Sequence, residues 1–166
     1  NLFYEVPLGK RIDLVSGQDQ SATINTAVTN PLVVKVIDDA MQPVTDTSVV
    51  FRVIQGAGIV GVGGATEGRA VVVTTNAQGE ASTTYKVGTR VGTENHKVRA
   101  SVVGDKSEVV FNVSASGNIG NKLSVNSGNN QRGIVDQLLP APFVTVVTDD
   151  GANVVVGARV QYEMAV

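Results

Sequence analysis

Two pairs of adjacent aspartates, Asp38-Asp39 and Asp149-Asp150, carry the side chains in this sequence that are best suited to bind a hard cation. Calcium is bound by several carboxylate and carbonyl oxygens that converge on one point. Each pair follows a run of β-branched residues, which places it in a turn at the end of a predicted strand. Aspartate is also favoured there because its side chain bonds to the backbone of its own turn. The four residues are candidate calcium ligands, with turn stabilisation as the alternative role.

Catalytic chemistry has few residues to draw on. His96 is the single histidine and there is no cysteine, so His-based metal clusters and thiol nucleophiles lack their side chains. His96 begins a predicted strand, where we expect a partly exposed structural histidine. The glycine-rich segment 55–64 lacks the following helix and the GK[ST] sequence of a phosphate loop, and we interpret it as a turn. With no catalytic constellation and no cofactor motif, the sequence predicts a protein that is not an enzyme.

Charge and hydropathy exclude two further classes of partner. The net charge is −2, and the longest run of basic residues is the pair Lys10-Arg11. Nucleic-acid binding needs a clustered basic face, so we expect no nucleic-acid partner. No apolar run approaches the roughly 18 residues that span a bilayer. We expect any export signal to lie outside this sequence.

The composition favours short strands over helices. Apolar residues make up 42% of the chain, aromatic residues 4%, and there are 18 glycines, with Val and Thr over-used. We predict seven strands in the first module, at 11–15, 32–37, 49–54, 70–75, 80–87, 96–102 and 108–113. Seven alternating strands in about 105 residues are typical of an immunoglobulin-like β-sandwich, an all-β fold.

The predicted core follows from the alternation of apolar and polar residues within these strands. Residues one apart point to opposite faces of a sheet, so every second residue faces the core. The predicted inward residues are Val49, Phe51 and Val53; Ala81, Thr83, Tyr85 and Val87; Val98, Ala100 and Val102; and Val109, Phe111 and Val113.

The segment 31–53 recurs at 142–164, and each copy is a hairpin-like unit of strand, turn and strand. Pro31 recurs as Pro142, an offset of 111 residues that holds without a gap. This offset exceeds the roughly 20–50 residues of solenoid repeats and suits a sandwich domain plus linker. Identical pairs include Gln20 with Gln131, Val36 with Val147, Asp38 with Asp149, and Val49 with Val160; the predicted core face of the second copy is Val160, Tyr162 and Met164.

The repeat predicts four segments. Residues 1–9 are a linker or the end strand of a preceding module, 10–115 form the sandwich, 116–122 form a linker, and 123–166 form the N-terminal part of a second module. Half a sandwich would expose apolar faces and strand edges. We expect that the chain is part of a longer protein, with completion by strands from another chain as the alternative.

The segments VKVIDDAMQPV, VVFRV, VTTNAQGEASTTYKVGTRVG and NHKVRASV resemble the group 1 bacterial immunoglobulin-like domains. These domains occur in tandem in the extracellular stalks of invasin- and intimin-type adhesins. The resemblance implies an extracellular or cell-surface location, with neighbouring immunoglobulin-like modules and a host or cell-surface receptor as partners. The chain departs from the family at Met41, where Gly is usual, at Val154, where Pro is usual, and at Asn76, where Asp is common. These departures concern turns.

The sequence therefore predicts a structural or adhesion module that acts as a spacer in a tandem array. One alternative is a filament subunit that polymerises by strand exchange between chains. The other is a carbohydrate-binding accessory module, which would present exposed aromatic residues. The aromatic residues of the chain are Phe3, Tyr4, Phe51, Tyr85, Phe111, Phe143 and Tyr162. Most of them stand at predicted core positions, which argues against sugar binding.

Overall fold

The computed structural model describes residues 9–61 and 63–164 of the 166-residue chain. The predicted linker or end strand at 1–9, with Phe3 and Tyr4, lies outside these residues apart from Gly9. The described residues form β-strands and no helix, so they include no helix able to cross a membrane. The strands are β1 (Lys10–Ser16), β2 (Gln20–Thr23), β3 (Leu32–Asp38), β4 (Ser48–Gln55), β5 (Ile59–Val60), β6 (Ala70–Thr74), β7 (Glu80–Thr83), β8 (Tyr85–Lys86), β9 (Gly92–Val102), β10 (Glu108–Ser116), β11 (Lys122–Ser127) and β12 (Val144–Thr148).

The chain divides into two compact units; unit 1 ends at Ser116 and unit 2 begins at Gly117. Unit 1 contains a three-stranded sheet, β1-β3-β7, and a five-stranded sheet, β2-β10-β9-β4-β6. The inner faces of both sheets contribute to one buried apolar cluster. The strands β1-β3-β7 and β10-β9-β4 follow the strand order of the two immunoglobulin sheets. The predicted all-β sandwich is confirmed.

Among the described residues of unit 1, the strands pair antiparallel with one exception. β2 runs parallel to β10, with Gln20 opposite Val113 and Thr23 opposite Ser116. Sequence patterning missed β2 because three of its four residues are polar and none is fully buried, as an edge strand allows. The single strand predicted at 80–87 is two strands in the structure. Of these, β7 pairs with β3, whereas β8 pairs with the two-residue strand β5.

The hairpin interpretation of segment 31–53 is wrong. β3 pairs with β1 and β7, whereas β4 pairs with β6 and β9 in the other sheet. The connection 39–47 therefore crosses between the sheets. Inward residues of both strands still face one shared core, so the alternation of apolar residues is the same for a hairpin and for this crossover.

The core of unit 1 contains nearly all the residues that alternation places inward. Phe51 of β4 and Phe111 of β10 lie with ring centroids 6.4 Å apart and planes tilted by 32°. Tyr85 and Val98 are also fully buried, whereas Val109 is half-buried at the margin. The period of two along each strand therefore predicts burial correctly even where it misassigns the partner strand.

Unit 2 contains one two-stranded sheet, β11-β12, among its described residues. Lys122 pairs with Thr148 just as Arg11 pairs with Ile37 in unit 1, 111 residues earlier. The predicted strand at 160–164 is not formed, and its predicted core face is not buried, because Tyr162 and Met164 are exposed. In unit 1 the equivalent strand β4 is held between β6 and β9, and the described residues of unit 2 provide no counterpart of these two strands.

Candidate functional site

The first aspartate of each candidate pair closes a turn. One oxygen of Asp38, Oδ1, accepts hydrogen bonds from the backbone N–H groups of Ala40 and Gln42, both at 2.9 Å. Asp149 Oδ1 accepts the equivalent pair from Gly151 and Asn153, also at 2.9 Å. Each carboxylate thus satisfies backbone donors that the tight turn leaves without a strand partner.

The fourth residue of each turn, counted from the first aspartate, has a left-handed backbone conformation. Met41 has φ 62° and Ala152 has φ 61°. Glycine is usual in this turn in the domains that the sequence resembles. In the second copy a glycine is present, Gly151, but it stands one position before the left-handed residue Ala152. The carboxylate bonds of Asp38 and Asp149 hold this conformation without glycine.

The second aspartate of each pair is tied to the segment that precedes the first strand of its unit. Asp39 Oδ2 accepts from Gly9 N at 2.9 Å, and Asp150 Oδ1 accepts from the side-chain amide of Asn121. Asp39 and Asp150 thus anchor the entry to β1 and to β11, respectively.

Asp149 is the most enclosed of the four carboxylates. Its Oδ2 accepts from Asn118 N at 3.2 Å, and the Asn153 side-chain amide contacts both oxygens. Burial by itself would raise the pKa of Asp149, but hydrogen bonds from Asn153, Asn118 and Gly151 outweigh it and hold the pKa below its usual value. Asp149 is therefore an ionised carboxylate whose oxygens already have N–H partners.

These contacts define what the aspartates do in the described structure. Across residues 9–61 and 63–164, no group of three or more His, Cys, Asp or Glu side chains is placed to hold a metal ion. Asp38, Asp39, Asp149 and Asp150 stay candidate calcium ligands, and a cation would have to compete with the N–H donors that these carboxylates already bind.

His96 is fully buried, so the expectation of a partly exposed histidine is wrong. β9 begins at Gly92, four residues earlier than predicted, which places His96 within the strand and on the same face as Val98. Its Nε2 lies 2.9 Å from the carbonyl oxygen of Arg90, and a carbonyl can only accept, so Nε2 carries the proton. Nδ1 is then the acceptor for the Tyr85 hydroxyl at 3.2 Å.

The glycine-rich segment packs against this buried pair. A Cβ at Gly56, where φ is +93°, would overlap the His96 ring, and a Cβ at Gly58 would overlap the Tyr85 hydroxyl. Gly56 and Gly58 therefore stand where a side chain would not fit. The sequence predicts a turn for this segment, and the structure has the short strand β5 within it. Since Tyr85 and His96 lie in the core, a substrate cannot reach either of them.

Gln20 in unit 1 and Gln131 in unit 2 make the same set of side-chain hydrogen bonds, which we call the glutamine bracket. The sequence repeat pairs these two residues but does not indicate what they bind. Gln20 Nε2 donates to the carbonyl oxygens of Gly17 and Asn30, and its Oε1 accepts from Asn30 N at 2.8 Å. Gln131 makes the same three bonds to Gly128 and Ala141. One side-chain amide thus joins both ends of the connection between β1 and β3 in unit 1, and of that between β11 and β12 in unit 2. These bonds need a side chain with both a donor and an acceptor.

The feature of unit 2 that differs most from unit 1 is an exposed apolar surface, which we call the open face. It consists of Leu123, Val125, Phe143, Tyr162 and Met164. Leu123, Phe143 and Tyr162 are 60%, 57% and 58% exposed, whereas their counterparts Ile12, Leu32 and Phe51 are 3%, 0% and 0% exposed. Positions that form the core of one unit are therefore a surface of the other.

The open face surrounds a groove of about 420 Å³ between β11, β12 and segment 160–164. The Tyr162 hydroxyl lies 2.9 Å from Thr145 Oγ1, which fastens the segment to the sheet. Of the described aromatic residues, Phe143 and Tyr162 are exposed, and Phe51, Tyr85 and Phe111 are fully buried. The 111-residue offset pairs Phe143 with Leu32 and Tyr162 with Phe51. It does not predict their exposure, because burial of Leu32 and Phe51 depends on the neighbouring strands β6, β7 and β9 of unit 1.

No family model matches the chain, and no curated protein matches it. Among solved structures, it is similar to domains 4-9 of the surface layer protein SbsC, with 15% sequence identity and a TM-score of 0.46. The similarity covers 89% of this chain and 21% of that chain, so this chain spans about one fifth of the SbsC structure.

Proposed function

We propose that this chain is a non-enzymatic structural module of an exported bacterial surface or filament protein. In that protein, immunoglobulin-like sandwiches in series would hold a distal binding element away from the cell. The observation that carries the proposal is the recurrence, 111 residues apart, of the same strand register, glutamine bracket and aspartate turn. A chain that rebuilds one set of local contacts at domain spacing is suited to serial assembly.

The chemistry of unit 1 supports this role. His96 and Tyr85 are joined by a hydrogen bond in the core, and the Asp38 carboxylate binds the backbone of its own turn. The sandwich closes on an apolar cluster drawn from both sheets. The assignment to a bacterial surface rests on the resemblance to group 1 bacterial immunoglobulin-like domains.

Surface labelling of whole cells tests the proposal. An antibody raised against the 166-residue chain is expected to label intact, unpermeabilised cells of the bacterium that makes it. An antibody against a cytoplasmic protein of the same cells serves as the control and should label only after permeabilisation. If this chain also becomes accessible only after permeabilisation, the surface role is wrong.

A filament subunit that polymerises by strand exchange is the second candidate, and the open face of unit 2 favours it. Exposed apolar surfaces of this kind mark interaction sites in soluble proteins. Sedimentation velocity of the purified chain tests it, because exchange between chains would raise the sedimentation coefficient with concentration. A single monomeric boundary at the highest attainable concentration would exclude it.

A further inference from the structure

We propose that the outer face of the five-stranded sheet of unit 1 binds an acidic polysaccharide through Arg52, Lys97 and Arg99. This outer face is the side of β4, β9 and β10 that points away from the buried apolar cluster. The ligand class is an extended chain of sugars that carry carboxylate groups, such as a polyuronate. The inference adds a ligand to the structural role proposed above and does not depend on that role.

The alternation of residues along two strands places the three cations on one surface. Arg52 alternates with the buried residues of β4, and Lys97 and Arg99 alternate with those of β9, so all three point outward. Arg52 lies directly opposite Arg99 in the ladder between these strands. Lys97 lies two residues from Arg99, which is about 7 Å along β9. Since β9 and β4 lie side by side within the sheet, with β10 and β6 beyond them, the positive charges lie at its middle and not at its edges.

One carboxylate partly balances this cluster. Glu108 Oε2 lies 3.5 Å from Arg99 Nη1, and within the described ranges 9–61 and 63–164 neither Arg52 nor Lys97 makes an ion pair. Like charges that lie directly opposite each other destabilise a sheet. An anion that binds both Arg52 and Arg99 would relieve this repulsion.

The outer face of the three-stranded sheet has the opposite arrangement of charge. There Asp13 lies opposite Lys35, and Lys35 lies opposite Glu80, so the charges alternate in sign across β1, β3 and β7. Arg11 Nη2 lies 2.8 Å from Asp13 Oδ2. One outer face of the unit therefore balances its own charges, whereas the other places arginine opposite arginine. This difference indicates that the negative charge for the larger sheet comes from a ligand.

The residues around the cations favour a sugar polymer as that ligand. Gln55 and Asn112 lie on either side of Lys97 in the ladder, and Ser101 lies two residues beyond Arg99. Their amide and hydroxyl groups can both donate hydrogen bonds to sugar hydroxyls and accept them. Arginine binds a carboxylate by two parallel hydrogen bonds. Recognition of this kind depends on charge and hydrogen bonds, so it needs no exposed aromatic residue.

Binding of a fluorescent oligogalacturonate to the full 166-residue chain tests the face, with fluorescence anisotropy as the readout. We expect saturable binding at low ionic strength and no binding of a neutral dextran of the same length. At about 1 M salt the Debye length falls to about 3 Å, so the binding should be lost. A DNA duplex of equal charge is the competing polyanion. If it binds as tightly as the oligogalacturonate, the face attracts negative charge in general and the assignment to a polysaccharide is wrong.

Two double variants separate the face from the net charge of the chain. Arg52→Gln with Arg99→Gln removes the facing arginines, and we expect it to weaken binding about tenfold or more. Arg11→Gln with Lys35→Gln removes the same charge from the other outer face and should bind within about twofold of the unsubstituted chain. Circular dichroism establishes that both variants are folded. Equal losses in the two variants would show that net charge governs binding and would overturn the proposal.

Amide chemical shifts of the unsubstituted chain locate the ligand without any substitution. Oligogalacturonate is expected to shift the amide resonances of Arg52, Lys97 and Arg99 and to leave those of Asp13 and Lys35 unchanged. Shifts confined to another surface, or the absence of saturable binding, would refute the assignment. The labelling of intact cells does not depend on this ligand, so failure here is distinct from failure of the surface role.

Discussion

The hydroxyl of Tyr85 donates to Nδ1 of His96 at 3.2 Å, in the core of unit 1, with the two ring centroids 6.5 Å apart. This bond joins the short strand β8 to the long strand β9 at the end of the sandwich where the glycine-rich segment lies. It gives the single histidine of the chain a structural role, and two of the following predictions concern this bond and its surroundings.

The stability of unit 1 should fall at alkaline pH because of Tyr85. Burial raises the pKa of Tyr85 to about 12, although nearby Arg69 lowers it slightly. The folded pKa lies above the usual value of about 10, so this stabilising contribution is complete below pH 10 and is lost as pH rises toward 12. Denaturant unfolding between pH 8 and 11.5 should show a shallower loss for Tyr85→Phe. The exposed Tyr162→Phe serves as the control, and a Tyr85→Phe profile as steep as the natural one would contradict the prediction.

Gly56→Ala should destabilise unit 1 by more than about 2 kcal/mol. The substitution combines a left-handed backbone with overlap between Cβ and the His96 ring. Gly63 has a similar φ of +81° but no neighbour near its Cβ position, so Gly63→Ala should cost only about 1 kcal/mol. Thermal unfolding of both variants measures the difference. Equal destabilisation would mean that the contact with His96 contributes nothing.

Phe51→Ala and Tyr162→Ala change equivalent positions of the two copies and should have unequal effects. Phe51 is fully buried against Phe111, so its truncation leaves a cavity and should cost about 3–5 kcal/mol. Tyr162 is exposed, so its truncation should change the free energy of unfolding by less than about 1 kcal/mol. Chemical denaturation with a fluorescence or circular dichroism readout is sufficient. A large loss for Tyr162→Ala would show that the open face is covered in solution.

Millimolar calcium should leave the melting temperature unchanged. One oxygen each of Asp38, Asp39 and Asp150 and both oxygens of Asp149 accept N–H donors, and a cation would have to compete with these bonds. A ligand that binds only the folded state would raise the melting temperature with concentration. Calorimetry with and without calcium, with magnesium as the control ion, measures this. A calcium-specific rise that is lost in Asp149→Asn would establish the aspartates as ligands.

The sequence predicted burial better than pairing. Val98, Ala100 and Val102 alternate with polar residues, and that alternation gives the inward face whichever strands lie beside it. Pairing depends on contacts distant in sequence, so nothing local distinguished a β3–β4 hairpin from a crossover. His96 was misjudged because the polar residues Thr93, Glu94 and Asn95 hide the first part of β9.

The candidate site was predictable only in part. The 111-residue offset correctly paired Tyr162 with Phe51 and Asp149 with Asp38. It could not report that Phe51 is covered by strands for which unit 2 has no counterpart among the described residues. Burial of a side chain depends on all the elements around it, whereas a repeat reports only one of them.

The parallel pairing of β2 with β10 decides how unit 1 would bear a load. β2 lies near the start of the unit and β10 at its end, and four residue pairs join them, with further bonds from Asp19 N to Asn112 O and from Ile24 N to Ser116 O. Tension applied through the two ends would draw these strands in opposite directions along their length. The bonds between them would then be strained in shear, all at once, and could not be unzipped one by one. A sandwich joined in this way should resist extension until a single abrupt rupture.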